Sequence, residues 1–235
     1  YGDQRRRLLS WLTRRVLGPH GAGILVEANG GYFAIDSADV EIGLRLRFAG
    51  GFALEEISRL TPFLGQEGRA LVVGAHIGLL AIPLAHKCSQ VVAIEANPRT
   101  FHLLTLNARL NGASNLRLHQ FAANDRQGEM DFLLSTENSG GSKRVPKVRQ
   151  SMYYYDEPEI CTVRAAVLDE ELGDEDFDVI VMDIEGSEYF ALGGMQRDPK
   201  PFDLPGDDPF ASCALARVRR VASLAPLGRG LGCTA

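Results

Sequence analysis

The sequence predicts an α/β chain in which a parallel sheet is covered on both faces, behind a small α+β preface. Three observations carry this. The short apolar runs "ALVV", "QVVAIEA" and "FDVIVMDIEG" read as strands buried on both sides. Helical periodicity lies between them, most clearly in "NPRTFHLLTLNARLNG". Glycine or acidic residues follow these strands at their C-terminal ends, where open α/β sheets hold ligands.

The preface is read as residues 1–65. "YGDQRRRLLSWLTRRVLG" makes a poor signal peptide, because Arg14 and Arg15 interrupt the apolar run and no small-residue cleavage site follows. It fits a short helix with Leu8, Leu9, Trp11, Leu12, Val16 and Leu17 on one broad face. A packed helix is the first reading and a membrane-surface helix the second. "GILVEANGGYFAI" reads as a hairpin, Ile24 to Ala28 and Tyr32 to Ile35, turning at Asn29-Gly30-Gly31. "VEIGLRLRF" alternates like a third strand, and Phe52 to about Leu64 reads as a helix with Pro62 near its end.

From residue 66 to 196, strands alternate with helices. A helix from about Leu79 to Lys87 must take Pro83 in its first turn or bend. Asn97 is a good N-cap, Pro98 a good first residue, and Leu103, Leu106 and Leu110 mark a face that ends at Asn111-Gly112. "NLRLHQFA", "EMDFLL" and "CTVRAAVLD" read as strands, and "SEYFALGG" as a short helix capped by Ser187 and stopped by Gly193-Gly194. Residues 197–235 break the pattern. Four prolines in "RDPKPFDLPGDDPF" exclude a central strand. The C-terminal part is therefore read as incomplete, its tail either disordered or standing in place of lost strands. The missing initiator methionine suggests a fragment or a processed chain.

With 45% apolar residues in 235, the chain can bury a sizeable core, and its net charge of −5 argues against a nucleic-acid protein working by charge alone. The four cysteines (Cys88, Cys161, Cys213, Cys233) form no CxxC pair, which suits reduced thiols in a cytoplasm. The histidines are scattered, and no metal site is expected. No run approaches a transmembrane span, so stable membrane insertion is not expected either.

Three constellations carry chemistry. Strand, "GAHIG" and helix together place Gly74 and Gly78 where a ligand could approach the backbone at a helix start. Glu95 ends the next strand about twenty residues on, where a carboxylate can accept both hydroxyls of a ribose. Nicotinamide and adenosyl-sulfonium cofactors both fit these two, although the glycines are not spaced G-x-G-x-x-G. In "VMDIEGSEYFAL", Asp183 and Glu185 stand two apart at a strand end, placed to grip a cationic ligand, bind a metal with water, or take a proton from an acceptor hydroxyl. The loop "ENSGGSKRVPKVRQSMYYYDEPE" sets Lys143, Arg144, Lys147 and Arg149 before Tyr153, Tyr154 and Tyr155. A solvated hairpin loop is its first reading; a lid, an acceptor-recognition loop or a single-strand nucleic-acid contact are the others.

In order, "VVGAHIG", "VVAIEANP", "LNARLNGASNLRLHQFAANDRQGEMDF", "GGS", "VRAAVLDEEL" and "FDVIVMDIEGSEYFALGGMQ" resemble the FkbM-type family of S-adenosylmethionine-dependent methyltransferases. The resemblance spans about Val40 to Gln196. It implies a Rossmann-like methyltransferase sheet over 66–196, S-adenosylmethionine as donor, and O-methylation of a hydroxyl on a small molecule such as a sugar or secondary metabolite. Carried over by position, Gly74, Ala75, His76 and Gly78 form the cofactor loop and Glu95 is the ribose acid. Ala123, Asn124 and Asp125 match the loop near the adenine, and Asp183 and Glu185 match the acidic motif. Asp183 would serve the cofactor, and Asp183 or Glu185 would be the base. The chain departs from the family at Val72, where an aspartate is usual, and at His76, where an asparagine is usual. A catalytically silent relative that only binds, and a nicotinamide oxidoreductase, are the alternatives.

Overall fold

The computed structural model describes residues 2–18, 20–146, 158–195 and 214–215. Its main sheet is built from β3 (Arg69–Val73), β4 (Gln90–Ile94), β5 (Leu116–His119) and β10 (Val179–Met182), with β11 (Ala214–Leu215) at one edge. The order is β11-β10-β3-β4-β5, and the four longer strands run parallel, in a Rossmann-like arrangement.

Alternate residues of these strands feed two cores, because successive side chains point to opposite faces. Val72, Val91, Ala93, Val179 and Val181 face one side. Leu71, Val73, Val92, Ile94, Ile180 and Met182 face the other, against Leu168, Leu172, Phe177 and Ala191. The first core also takes in Phe33, Ile35, Leu46, Ile57 and Leu60 from the preface.

The preface holds α1 (Gly2–Leu17), the hairpin β1 (Ile24–Ala28) and β2 (Gly31–Ile35), then α2 (Ile42–Ala49) and α3 (Leu54–Leu60). Asn29 and Gly30, with φ of 51° and 76°, make the two-residue turn between strands paired at Ala28 and Gly31. The third strand expected from "VEIGLRLRF" is instead α2. Asp39 Oδ1 accepts the amides of Glu41, Ile42 and Gly43 and so starts a helix. The apolar face expected of α1 to pack does not: Leu8, Leu9, Trp11, Leu12, Val16 and Leu17 are all exposed.

Helix α4 (Ala81–Ala85) is shorter than expected and carries Pro83 in its first turn. Proline has no N–H to offer the Leu79 carbonyl, and Asn29 Nδ2 donates to that oxygen instead, at 3.0 Å. Helix α5 (Pro98–Leu110) starts as expected, with the Asn97 side chain accepting the Arg99 amide. Its buried face differs from the leucine face: Thr100, Leu104, Asn107 and Ala108 point inward, while Leu106 and Leu110 are exposed. The reason is a carboxamide ladder. Asn107 bonds both backbone groups of Ala34, and Asn111 both of Tyr32, so the helix docks on the edge of β2 through polar side chains.

A second sheet, in the order β6-β9-β7-β8, gathers β6 (Ala122–Ala123), β7 (Gly128–Leu134), β8 (Lys143–Arg144) and β9 (Glu159–Ala166). After β9 come α6 (Leu168–Leu172) and, beyond β10, α7 (Glu188–Gly193). The tail expected to be disordered or replaced lies outside the described residues, apart from the two of β11, which pair antiparallel with Ile180 and Val181. Among the described residues no helix is long and apolar enough to cross a membrane.

Candidate active site

The chain leaves β3 through Gly74, Ala75, His76, Ile77 and Gly78, with φ of 85° at Gly74 and 96° at Gly78. A β-carbon on Gly74 would lie 1.9 Å from the Asp183 carbonyl oxygen, and one on Gly78 would lie 2.6 Å from Ile82 and 2.9 Å from Leu104. The space that a side chain would fill at each glycine is thus taken by the protein itself, by the acidic turn at Gly74 and by helix packing at Gly78. The Asp183 amide also donates to the Val73 carbonyl at 2.9 Å.

Glu95, just beyond β4, is buried. Its Oε2 accepts the His76 amide at 2.7 Å and its Oε1 the Asn97 amide at 2.8 Å. Burial pushes this carboxyl upward, and the amide donors act against that rise. Glu95 thus ties the glycine loop to the start of α5. The Thr100 side chain and the Ala96 amide also bear on this carboxyl and act against the rise.

His76 has a left-handed backbone, φ 51°. Its Nε2 stands 2.7 Å from Ser139 Oγ, and the Ser139 hydroxyl donates to Asp39 Oδ2. Burial lowers the imidazole pKa to about 4, with Asp39 pulling the other way.

Asp183 and Glu185 follow β10, and both are exposed. Both carboxyls are pushed upward. Desolvation is the largest cause for each, followed by Glu188 for Asp183 and by Asp183 for Glu185. Lys143 Nζ, 3.9 Å from Glu185 Oε2, works against the rise. Ser187 does not cap α7 with its side chain. Glu188 turns back instead to accept the amides of Ile184 and Gly186 at 3.1 and 3.3 Å.

Asn124 is buried and receives Arg144 Nη1 at 3.4 Å, while Arg144 lies over the Phe190 ring, 4.2 Å from its centroid. A β-carbon on Gly194 would meet the Asn124 carbonyl at 2.4 Å, which places this loop against the end of α7. Ala123 is buried in β6, whereas Asp125 is exposed and paired with its neighbour Arg126.

One stretch joins these pieces. Ser139 meets His76, Ser142 Oγ receives Asn97 Nδ2 at 3.1 Å, Lys143 meets Glu185 and Arg144 meets Asn124. This overturns the solvated-loop reading for residues 139–144. Asp39, Ser139 and Ser142 were absent from the expected site, and the one sequence signal, the "GGS" run, covers only Ser142. Lys147, Arg149 and Tyr153, Tyr154 and Tyr155 lie outside the described residues.

The Methyltransferase FkbM domain model matches residues 73–204, more than half of the 235 residues. The chain belongs to the FkbM methyltransferase family. None of the curated proteins matches it. Among solved structures, it resembles the methyltransferase FkbM from Methylobacillus flagellatus KT at 21% identity, with 57% of this chain and 30% of that one covered and a TM-score of 0.39. M. jannaschii TYW2 in complex with AdoMet is 26% identical over 42% of this chain and 43% of that one, with a TM-score of 0.35. Trm5b from Pyrococcus abyssi is 24% identical over 44% and 29%, with a TM-score of 0.36. The chain thus spans less than half the length of each.

Membership in the FkbM family brings in S-adenosylmethionine as the cofactor. The residues fit it. Glu95 places a carboxylate at a buried strand end beside the glycine loop, and His76 Nδ1 has no hydrogen-bond partner among the described residues. Asp183 and Glu185 supply negative charge suited to a cation. Among the described residues no three His, Cys, Asp or Glu groups converge as metal ligands.

Proposed function

We propose that the chain transfers the methyl group of S-adenosylmethionine to a hydroxyl of a small molecule, a sugar or secondary metabolite, with residues 66–196 as the cofactor-binding domain. The carrying observation is the buried Glu95 carboxylate, bonded to the glycine loop at His76 on the strand beside Gly74. Gly74, Ala75, His76, Gly78 and Glu95 hold the cofactor, with Ala123, Asn124, Asp125 and Asp183 completing its site.

When bound, the cofactor supplies an electrophilic methyl on a sulfonium. The protein's part is to align the acceptor oxygen with that methyl and to remove its proton. Asp183 and Glu185 are the candidates for the base, since their raised pKa values make them stronger bases than ordinary carboxylates. The net charge of −5 supports an acceptor other than nucleic acid. The free thiols of Cys88 and Cys161 suit a reducing cytoplasm.

Labelled S-adenosylmethionine offered with carbohydrate and hydroxylated acceptors tests this reading. Asp183→Asn or Glu185→Gln, whichever removes the base, lowers turnover about 10²- to 10⁴-fold. Full activity in both variants would overturn the assignment. Cofactor binding without transfer to any acceptor would favour the silent, binding-only relative.

A further inference from the structure

The line Asp39–Ser139–His76 joins the preface, the second sheet's connecting segment and the glycine loop, and its hydrogen-bond polarity is fixed by counting protons. Asp39 is buried, and Oδ1 accepts three backbone amides at 2.8–3.0 Å. Its Oδ2 accepts the Ser139 amide at 3.2 Å and the Ser139 hydroxyl. All five contacts ask the carboxylate only to accept, as the ionised form does. The single hydroxyl proton of Ser139 is thereby committed to Asp39. Toward His76 the serine oxygen can only accept, so Nε2 carries the imidazole proton. Burial keeps the ring neutral near pH 7, which leaves Nδ1 with a lone pair.

No hydrogen bond reaches Nδ1 among the described residues. The loop it sits on is held from the other side, where the His76 amide donates to Glu95. The end of β3 itself offers no acidic side chain, since Val72 and Val73 are apolar and buried. Of the donors that S-adenosylmethionine carries, the ribose hydroxyls are matched by Glu95. The α-ammonium group has no assigned acceptor on the glycine loop.

We propose that Asp39 and Ser139 lock His76 in the Nε2–H tautomer, so that Nδ1 serves as the acceptor for the α-ammonium group at the amino-acid end of the cofactor. His76 is then a cofactor-binding residue, and Ser139 and Asp39 are positioning residues acting through it. The proposal rests on the methyltransferase reading above.

Its test compares S-adenosylhomocysteine, which has the amino-acid end, with adenosine, which lacks it. Calorimetry on wild type and Ser139→Ala should show S-adenosylhomocysteine weakened about three- to tenfold and adenosine unchanged. His76→Ala should show the same selective loss, which keeps the test open if Ser139→Ala fails to fold. Nitrogen-15 spectra of the ligand-free wild type should report the Nε2–H tautomer, and Ser139→Ala should lose that bias. Equal loss for both ligands, no loss for either, or an Nδ1–H tautomer in wild type would overturn the proposal. Wild type that binds neither ligand would overturn the methyltransferase reading instead.

Discussion

The α-carbon of Gly74 lies so close to the backbone of Asp183 that a β-carbon there would stand 1.9 Å from the Asp183 carbonyl oxygen. The glycine loop and the acidic turn are thus pressed together by main chain. Gly74→Ala meets both this clash and a left-handed φ of 85°. It should cost at least about 3 kcal/mol in urea unfolding. Gly112→Ala has a φ of 63° with nothing within 4 Å of the added carbon, and should cost about 1 kcal/mol. Equal costs would contradict the contact.

Asn107 is fully buried, accepts the Ala34 amide at 2.7 Å, and donates to the carbonyls of Ala34 and Ile77 at 3.1 and 2.9 Å. Asn107→Ala leaves three backbone groups without their partner, that of Ile77 buried and the two of Ala34 partly so. Its unfolding free energy should fall by about 3 kcal/mol, against about 1 kcal/mol for Asn111→Ala, whose bonds to Tyr32 are exposed.

Lys143 holds the Glu185 carboxyl down against burial and against Asp183. Lys143→Gln removes that restraint, so the Glu185 pKa rises further and its charged form is lost at a higher pH. If Glu185 is the base, the acid limb of kcat/KM against pH shifts upward in the variant. An unmoved limb would show that Glu185 does not set it.

For His76 the folded pKa of about 4 lies below the ordinary imidazole value of 6.5. The unfolded chain then binds the proton more tightly, so this residue's contribution to stability is whole above pH 6.5 and drains away as pH falls toward 4. Denaturant midpoints measured across this window should fall more steeply for wild type than for His76→Asn. Parallel curves would contradict a buried neutral imidazole.

The sheet was legible because its strands are buried on both faces, which leaves unbroken apolar runs such as "ALVV" and "VVAI". The Asn29-Gly30 turn and the Asn97-Pro98 helix start were legible because their chemistry is local. Helix α2 was not: Ile42, Leu44 and Leu46 alternate like a strand, and the carboxylate that starts the helix sits back at Asp39. The inward face of α5 was hidden because it docks through asparagine rather than leucine. Glu95 and the acidic pair were legible as carboxylates at strand ends, and they follow β4 and β10. The seam through residues 139–144 was not, since its partners are remote: Ser139 is 63 residues from His76 and 100 from Asp39. No local pattern encodes such pairings.

The central claim is that Glu95 and the glycine loop hold an adenosyl cofactor. Calorimetric titration of the purified chain with S-adenosylhomocysteine, with NAD as control and Glu95→Ala as the variant, tests it most directly. The account expects binding in the micromolar range to wild type, abolished in Glu95→Ala, and no heat from NAD. A demonstrably folded chain that binds NAD instead, or binds neither ligand, would contradict it.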